Sequence, residues 1–174
     1  MKWFSLLVSL FLVMACNFKS DPSTVATTDE EKDSQGITSK DIENLKYTEY
    51  VLGTEAKEAV LNWQRYQELM TQTEFLKQAD FSFFESKTEE MKTFIKELKT
   101  DIPPSVESPA IKERLIALET KLLKLHSGLK LSNMKKAETL NNIKELLVTI
   151  SNLHLQINKK FELESQKIED PGMN

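Results

Sequence analysis

The sequence predicts an all-α body, and the placement of helix breakers is the first observation that supports it. The chain has 174 residues with five prolines and four glycines. Residues 40–102 and 110–170 each contain no proline and one glycine, and Leu, Lys, Glu and Ala dominate both stretches. These are strong helix formers, whereas proline and glycine disfavour helix interiors. Apolar residues spaced three and four apart within the same stretches are the second observation, because that spacing places them on one helix face.

Four apolar series divide this body into four predicted helices, over residues 40–77, 81–101, 109–127 and 133–168. Additional apolar residues broaden each series beyond a coiled-coil stripe, which favours helices with more than one neighbour. Glu49 is the one polar interruption of the first series. In chain order the four series are Ile42, Leu45, Leu52, Ala56, Ala59, Trp63, Tyr66 and Met70; Phe81, Phe84, Thr88, Met91, Ile95 and Leu98; Ile111, Leu115, Leu118, Leu122, Leu125 and Leu129; and Leu140, Ile143, Leu147, Ile150, His154, Ile157 and Phe161.

The predicted boundaries rest on turn and capping residues. The segment "DIPPSVESPA", residues 101–110, ends one helix because a residue before proline avoids the α conformation. Ser108 then caps the next helix, with Pro109 at its first position. Gly128 is expected to end that helix in a left-handed cap, and Ser132 to start the last helix. Near residues 78–82 only a shift in the apolar series and the potential cap Asp80 indicate a turn.

Two architectures satisfy this pattern. The favoured one is an antiparallel four-helix bundle over residues 39–170, followed by a disordered tail at 171–174. The alternative is a long two-helix coiled-coil hairpin that turns at residues 102–109. In the bundle the outer helices overhang the middle pair. Tyr47 and Tyr50 lie off the apolar face of the first helix and are the candidate interaction surface on that overhang, whereas Trp63 and Tyr66 are expected in the core.

The body offers little material for catalysis or for a cofactor. It has no cysteine and two histidines, with no glycine-rich phosphate loop, nucleophile elbow or helical histidine pair. The di-metal motif Glu-x-x-His is absent, because Leu123 and Ser151 precede the histidines by three residues. We therefore expect no enzyme, no metal and no resident cofactor.

The two histidines receive different interpretations. His154 lies on the apolar face of the last helix and is expected to be a core or half-buried residue, hydrogen-bonded across the bundle. The alternative is an axial haem ligand, with Met70 or Met91 opposite. His126 lies off the apolar face of its helix and is expected to be solvated.

Residues 1–15 have the proportions of a secretory signal peptide. A short basic start, Met1-Lys2-Trp3, precedes an uncharged apolar run of 12 residues from Phe4 to Ala15. Such a run is too short to span a bilayer, which takes about 20 helical residues. A short apolar region followed by a small residue is typical of a cleaved export signal.

The apolar run ends in Val13-Met14-Ala15-Cys16, which resembles the lipobox of bacterial lipoproteins. An aliphatic residue three before the cysteine and a small residue directly before it match that family, and Met14 is tolerated between them. The resemblance implies that Cys16 carries a thioether-linked diacylglycerol, that cleavage falls between Ala15 and Cys16, and that the new amino group is open to acylation. Cys16 is the only cysteine, so an intrachain disulfide is excluded.

Residues 16–38 are predicted to form a disordered acidic tether behind the lipidated cysteine. The segment is rich in Ser, Thr, Asp, Pro and Gly and lacks a sustained apolar period, so it cannot bury enough surface to order itself. Its five acids and two lysines give it a charge of −3, and the charges of the helical body are dispersed. The chain shows no basic patch, which argues against a nucleic-acid partner.

These features together predict a membrane-anchored cell-envelope lipoprotein whose helical body binds or scaffolds another protein, with no catalysis. The whole chain resembles uncharacterised helical lipoproteins of Gram-negative envelopes. Asn17 resembles the outer-membrane sorting pattern of enterobacteria, which implies the outer membrane, on its periplasmic or surface face. A homo-oligomer stays open, and the alternative function is a tethered ligand-binding bundle for haem, a metal or an apolar molecule.

Overall fold

The computed structural model describes residues 36–169, with side chains up to residue 166, and it confirms that this body is all-α. The described part contains six helices and no strand. The predicted signal peptide, Cys16, most of the tether and the tail at 171–174 lie outside the described residues. The helices are α1 (Ser39–Glu43), α2 (Thr54–Ala59), α3 (Gln64–Lys77), α4 (Thr88–Thr100), α5 (Pro109–Leu129) and α6 (Lys136–Glu169).

The α5–α6 pair is the framework of the fold. Ser108 caps α5 by accepting a hydrogen bond from the Ile111 amide at 3.3 Å, and Pro109 opens the helix, as the sequence predicted. At the other end of the pair, the side chains of Lys121 and Lys124 on α5 both bind Glu145 on α6. The buried apolar residues of the two helices form the central part of the core: Ile111, Leu115, Leu118, Leu122, Leu125, Ile143, Leu146, Leu147, Ile150, Leu153 and Ile157.

Gly128 does not end α5 in a left-handed cap, so that prediction is wrong. The helix continues to Leu129, and Gly128 lies within it with an ordinary helical φ. A Cβ at this position would lie 2.7 Å from Cε of Met134 and 3.2 Å from Nδ2 of Asn142. The glycine therefore admits these two side chains against the helix. The last helix then begins at Lys136 rather than near Ser132.

Residues 78–87 connect α3 to α4, and they begin with a tight turn at the position where a shift in the apolar series and Asp80 indicate one. Two backbone hydrogen bonds close the end of α3: the Asp80 amide donates to the Phe75 carbonyl, and the Ala79 amide to the Leu76 carbonyl, both at 2.9 Å. This pattern is a Schellman motif. Asp80 does not cap α4, since its carboxylate accepts from the Ser82 amide within the turn and the helix begins only at Thr88.

The predicted first helix over residues 40–77 is wrong as a continuous element. The chain instead forms α1, a non-helical stretch, α2, a turn at 60–63 and then α3. The non-helical stretch contains Tyr47, Thr48, Tyr50 and Val51 followed by Gly53, and aromatic, β-branched and glycine residues all have low helix propensity. Leu45 and Leu52 still face the core, which is why the apolar series ran through a stretch that is not helical.

Neither of the two predicted architectures is confirmed by this arrangement of helices. Six helices are present where four were predicted, so the four-helix bundle is not confirmed. The two-helix hairpin is wrong, because the chain is also interrupted at residues 60–63, 78–87 and 130–135. Within residues 36–169, no helix has both the length and the apolar character needed to cross a bilayer.

Candidate functional site

Residues 45–53, which we call the strap, lie along α6. Three side chains of α6 hold the strap in this position. Ser151 is the first: its hydroxyl accepts a hydrogen bond from the Tyr50 amide at 2.7 Å and donates one to the Thr48 carbonyl at 2.8 Å. Asn158 is the last: its amide nitrogen donates to the Val51 carbonyl at 2.8 Å. Its side-chain oxygen accepts from the Gly53 amide at 2.9 Å.

His154 stands between them and binds the strap through Nδ1, which lies 2.8 Å from the Tyr50 carbonyl oxygen. The three side chains are spaced three and four residues apart, so they share one face of α6. All of their strap partners are backbone atoms. These hydrogen bonds therefore fix the main chain of the strap, and the side chains of Tyr50 and Val51 remain exposed.

The His154 ring also reaches α3, where its Nε2 lies 2.9 Å from the Tyr66 hydroxyl. A carbonyl oxygen only accepts, so Nδ1 carries the proton and donates it to Tyr50. In the neutral ring Nε2 is then the acceptor, and the Tyr66 hydroxyl donates to it. Burial lowers the pKa of His154 and raises the pKa of Tyr66, so both groups are neutral near pH 7.

This geometry agrees with the core-histidine interpretation of His154 and opposes the haem interpretation. An axial haem ligand must offer a ring nitrogen to the iron, whereas both His154 nitrogens are occupied by protein atoms. Trp63 and Tyr66 lie in the core as predicted, with their rings stacked at a centroid distance of 5.2 Å.

The structure places Tyr47 and Tyr50 on the strap rather than on a helical overhang. The Tyr50 side chain is 38% exposed, and its neighbour Val51 is 73% exposed. Tyr47 is half-buried against the core, and burial raises the pKa of its hydroxyl. The two tyrosines thus differ: Tyr50 presents a surface, and Tyr47 lines a groove beside it.

That groove, the Tyr47 groove, has a volume of about 310 Å³ and lies between the strap, α1, the end of α3 and α6. The ammonium group of Lys77 lies at the edge of the groove. It donates hydrogen bonds to the carboxylates of Glu49 at 2.8 Å and Glu74 at 3.0 Å. Burial opposes the charge of Lys77, but these two hydrogen bonds outweigh it and raise the pKa of the amine. The lining residues are Ile42, Glu43, Leu45, Tyr47, Glu49, Lys77 and Leu147.

A second groove of about 500 Å³ lies between α3 and the start of α4. Phe83 is half-exposed at its floor and meets Phe94 edge to face at 4.9 Å. Arg65 borders it, with its guanidinium 5.9 Å from the centre of the Phe94 ring and bonded to Glu68 and Glu97. No pattern in the sequence indicates this groove, because its residues come from the faces of two helices and from the connection between them.

His126 is not solvated, so that expectation is wrong. It is only 2% exposed, its Nδ1 donates to the Phe84 carbonyl at 2.8 Å, and its Nε2 lies 3.2 Å from the Thr88 hydroxyl. The ring thereby ties α5 to the turn before α4. Its role is structural.

Sequence reasoning missed Ser151 and Asn158. The sequence does contain a pattern that could have indicated them. Ser151, His154 and Asn158 have the spacing of one helix face. This polar row lies beside an apolar row formed by Ile150, Leu153 and Ile157. Such a row inside a broad apolar face indicates that the helix packs against something that needs hydrogen bonds.

The comparisons add no family to these observations. No protein-family model matches the chain, and neither a search of curated proteins nor a search of solved structures returned a match. In the part of the chain that the structure describes, no group of three or more His, Cys, Asp or Glu side chains is placed to hold a metal ion.

Proposed function

We propose that this chain is a lipid-anchored lipoprotein of the bacterial cell envelope whose helical body binds another protein through the strap. The anchor is the acylated Cys16, and residues 16–38 are the spacer between membrane and body. The proposed location is the outer membrane of a Gram-negative bacterium. The body acts as a binding or scaffolding module without catalysis.

The observation that carries the binding proposal is the exposure of Tyr50 and Val51 on a strap whose main chain is fixed. Five hydrogen bonds from Ser151, His154 and Asn158 hold that main chain. A surface whose backbone is already ordered loses less conformational entropy on association. Tyrosine is also among the residues that contribute most to binding free energy at protein interfaces.

The Tyr47 groove extends this surface and gives it a shape that a partner side chain can enter. Ile42, Leu45 and Leu147 supply an apolar lining, and the Lys77–Glu49 pair supplies a polar edge. Apolar lining with a few fixed polar groups is the usual character of a recognition pocket. Strap and groove together would form one continuous interface.

In this proposal, the predicted four-helix bundle is the scaffold that supports the strap. We propose that α3, α4, α5 and α6 act as the four bundle helices and that the strap, α1 and α2 are added along α6. Buried residues from all four helices support this, including Leu69 on α3, Phe94 on α4, Leu118 on α5 and Leu153 on α6. The bundle would keep α6 rigid beneath the strap.

The lipid anchor is tested by metabolic labelling with a palmitate analogue and by membrane fractionation. Cys16→Ala is expected to abolish labelling and to release the protein from membranes, because no other cysteine can accept the lipid. Ser20→Ala is the matched control and should retain both properties. Unchanged labelling of Cys16→Ala would refute the anchor.

The binding surface is tested by in-cell crosslinking of the tagged full-length protein, followed by gentle extraction and mass spectrometry. One reproducible partner is expected, lost when Tyr50 and Val51 are both changed to Ser. Changing Ile116 and Leu131, which are 58% and 56% exposed, to Ser is the matched control and should leave capture intact. If only copies of this chain are captured, the partner is a second copy. If the Tyr50/Val51 variant and the Ile116/Leu131 variant capture the same proteins equally, the strap is not the interface.

A further inference from the structure

Asn142 on α6 is a buried amide that the fold satisfies poorly. Its side chain is 2% exposed, and its Oδ1 is the one buried side-chain oxygen or nitrogen without a hydrogen-bond partner in the part of the chain that the structure describes. Its Nδ2 donates to Sδ of Met134 at 3.7 Å. Because a thioether is a weak acceptor, this bond returns little of the free energy that burial of the amide costs. Stability of the fold therefore does not explain Asn142.

Gly128 holds Met134 against Asn142. A Cβ on Gly128 would lie 2.7 Å from Cε and 2.8 Å from Sδ of Met134, so the missing side chain leaves a notch that contains the methyl group. The connection that carries Met134 is fixed by two backbone hydrogen bonds, from the Leu131 amide to the Gly128 carbonyl and from the Met134 amide to the Leu131 carbonyl. The sulfur thus lies beside both the notch and the Asn142 amide.

Met134 differs from the other two methionines of residues 36–166. Met91 is only 1% exposed, whereas Met70 and Met134 are half-buried. Within these residues, the sulfur of Met134 is the one that accepts a hydrogen bond. Oxidation of methionine to the sulfoxide requires that the oxidant reach the sulfur, and hydrogen peroxide is hardly larger than water. Met134 is therefore both accessible to peroxide and provided with a donor for an added oxygen.

We propose that Met134 is a reversible oxidation site whose sulfoxide is bound by Asn142. The sulfur attacks one oxygen of hydrogen peroxide, the O–O bond breaks, and the other oxygen leaves as water with both protons. The sulfur is oxidised and the peroxide is reduced. In the reverse direction two thiols reduce the sulfoxide: they become a disulfide, and the oxygen leaves as water.

The Asn142 amide fits the sulfoxide better than the thioether. A donor 3.7 Å from the sulfur can bond an oxygen that the sulfur carries, and that oxygen is a much stronger acceptor. With the methyl group in the notch, the two free positions on the sulfur point in different directions, so only one sulfoxide epimer directs its oxygen to Asn142. That epimer docks, and Met134 consumes peroxide without loss of the fold. The site depends on neither the lipid anchor nor the strap.

Repair of the oxidised full-length protein in mild detergent tests this site. Hydrogen peroxide oxidises the protein, and two methionine sulfoxide reductases, each specific for one epimer, then act separately on the folded protein. Peptide mass spectrometry follows the sulfoxide at Met134, with Met70 as the reference for the two enzymes. One epimer at Met134 should be repaired about fivefold more slowly than the other, because its oxygen must first leave Asn142.

Two variants decide the outcome. Asn142→Leu removes the donor and should abolish the difference between the epimers, and Asn133→Leu, at an exposed position of the same connection, should retain it. Should Asn142→Leu fail to fold, Gly128→Ala provides the second test, because it fills the notch and should also abolish the difference. The proposal is overturned if Met134 stays reduced while Met70 is oxidised, if both epimers are repaired alike, or if the difference persists in Asn142→Leu or in Gly128→Ala.

Discussion

Ala79 has an unusual backbone conformation for an alanine. Its φ of 65° lies in the left-handed region, and it is the one non-glycine residue with a positive φ among residues 36–169. It occupies the position after the α3 cap at which helices most often carry glycine, because a Cβ disfavours this conformation. The turn into α4 is therefore made with a residue that strains it.

We predict that Ala79→Gly stabilises the protein by about 1 kcal/mol, since glycine adopts the left-handed conformation without this strain. Urea unfolding followed by circular dichroism measures the change. Ala117→Gly is the matched control: Ala117 is exposed within α5, where glycine should destabilise by about 1 kcal/mol. Destabilisation by both substitutions would show that Ala79 is not strained.

Trp63 joins two helix ends through one buried hydrogen bond. It is fully buried, and its indole nitrogen donates to the Leu98 carbonyl at 3.1 Å. Leu98 lies in the last turn of α4, where carbonyls lack a partner within the helix. The indole thus caps α4 from the start of α3.

Trp63→Phe should destabilise the protein by about 3 kcal/mol, because it both leaves the Leu98 carbonyl unpaired and creates a cavity. Phe94→Leu is the comparison: Phe94 is buried and aromatic but has no hydrogen bond to lose, so a loss of about 1 kcal/mol is expected. Thermal unfolding of both variants checks the difference. Equal losses would mean that the indole hydrogen bond contributes nothing.

At the scale of the elements, the attachment of the strap depends on a few single side chains of α6. Asn158 alone makes two of its five hydrogen bonds to α6. Asn158→Ala should destabilise the protein by about 2 kcal/mol and should increase proteolysis within residues 45–53. Asn152→Ala, at an exposed position on α6, is the control and should leave the cleavage rate unchanged.

The elements also show what the sequence could predict and why the rest was missed. The start of α5 was correct because its signals are local: Ser108 and Pro109 act within one turn of chain. The strap was missed because its partners are Ser151, His154 and Asn158, about a hundred positions later, and a backbone hydrogen bond to a distant side chain leaves no periodic trace. Gly128 was misread because a glycine that admits Met134 looks the same in sequence as one that ends a helix.

The candidate site was predictable to a similar extent. Tyr47 and Tyr50 were singled out because they lie off the apolar face of the predicted first helix, and Tyr50 is exposed. The Tyr47 groove and the His154 contacts depend on the path of a non-helical strap, which no helical pattern describes. The sequence was enough to single out the two tyrosines. The groove and the hydrogen bonds around them could be described only once the fold was known.

At the scale of the whole molecule, the pH dependence of stability should show two stages. Burial lowers the pKa of His154, so its contribution is present above its ordinary value of about 6.5 and decreases as the pH falls through that value. Hydrogen bonds from Lys124 and Lys121 lower the pKa of Glu145 to about 2, and hydrogen bonds from Thr38 lower that of Asp41 to about 2. These carboxylates stabilise the fold above about pH 4.5, and the contribution is lost between there and about pH 2.

Glu145→Gln should therefore lose less stability than the parent between about pH 5 and about pH 2. The difference should stay below about 1 kcal/mol, because the pairs with Lys121 and Lys124 are partly exposed. Glu113→Gln, at an exposed position of α5, is the control. Urea unfolding at a series of pH values makes the comparison, and parallel curves for Glu145→Gln and the parent would contradict it.

The attachment of the strap to α6 also sets an order of events during synthesis. The strap's hydrogen bonds join residues separated by 101 to 107 positions. A ribosome that adds about 10 residues per second needs about 10 s to produce Ser151 after Tyr50 has been made. Throughout that interval the strap has no helix to dock on, and water must satisfy its backbone groups. A segment synthesised before most of the described fold is thus among the last to dock, and a chain that stops before Asn158 cannot form all of its hydrogen bonds.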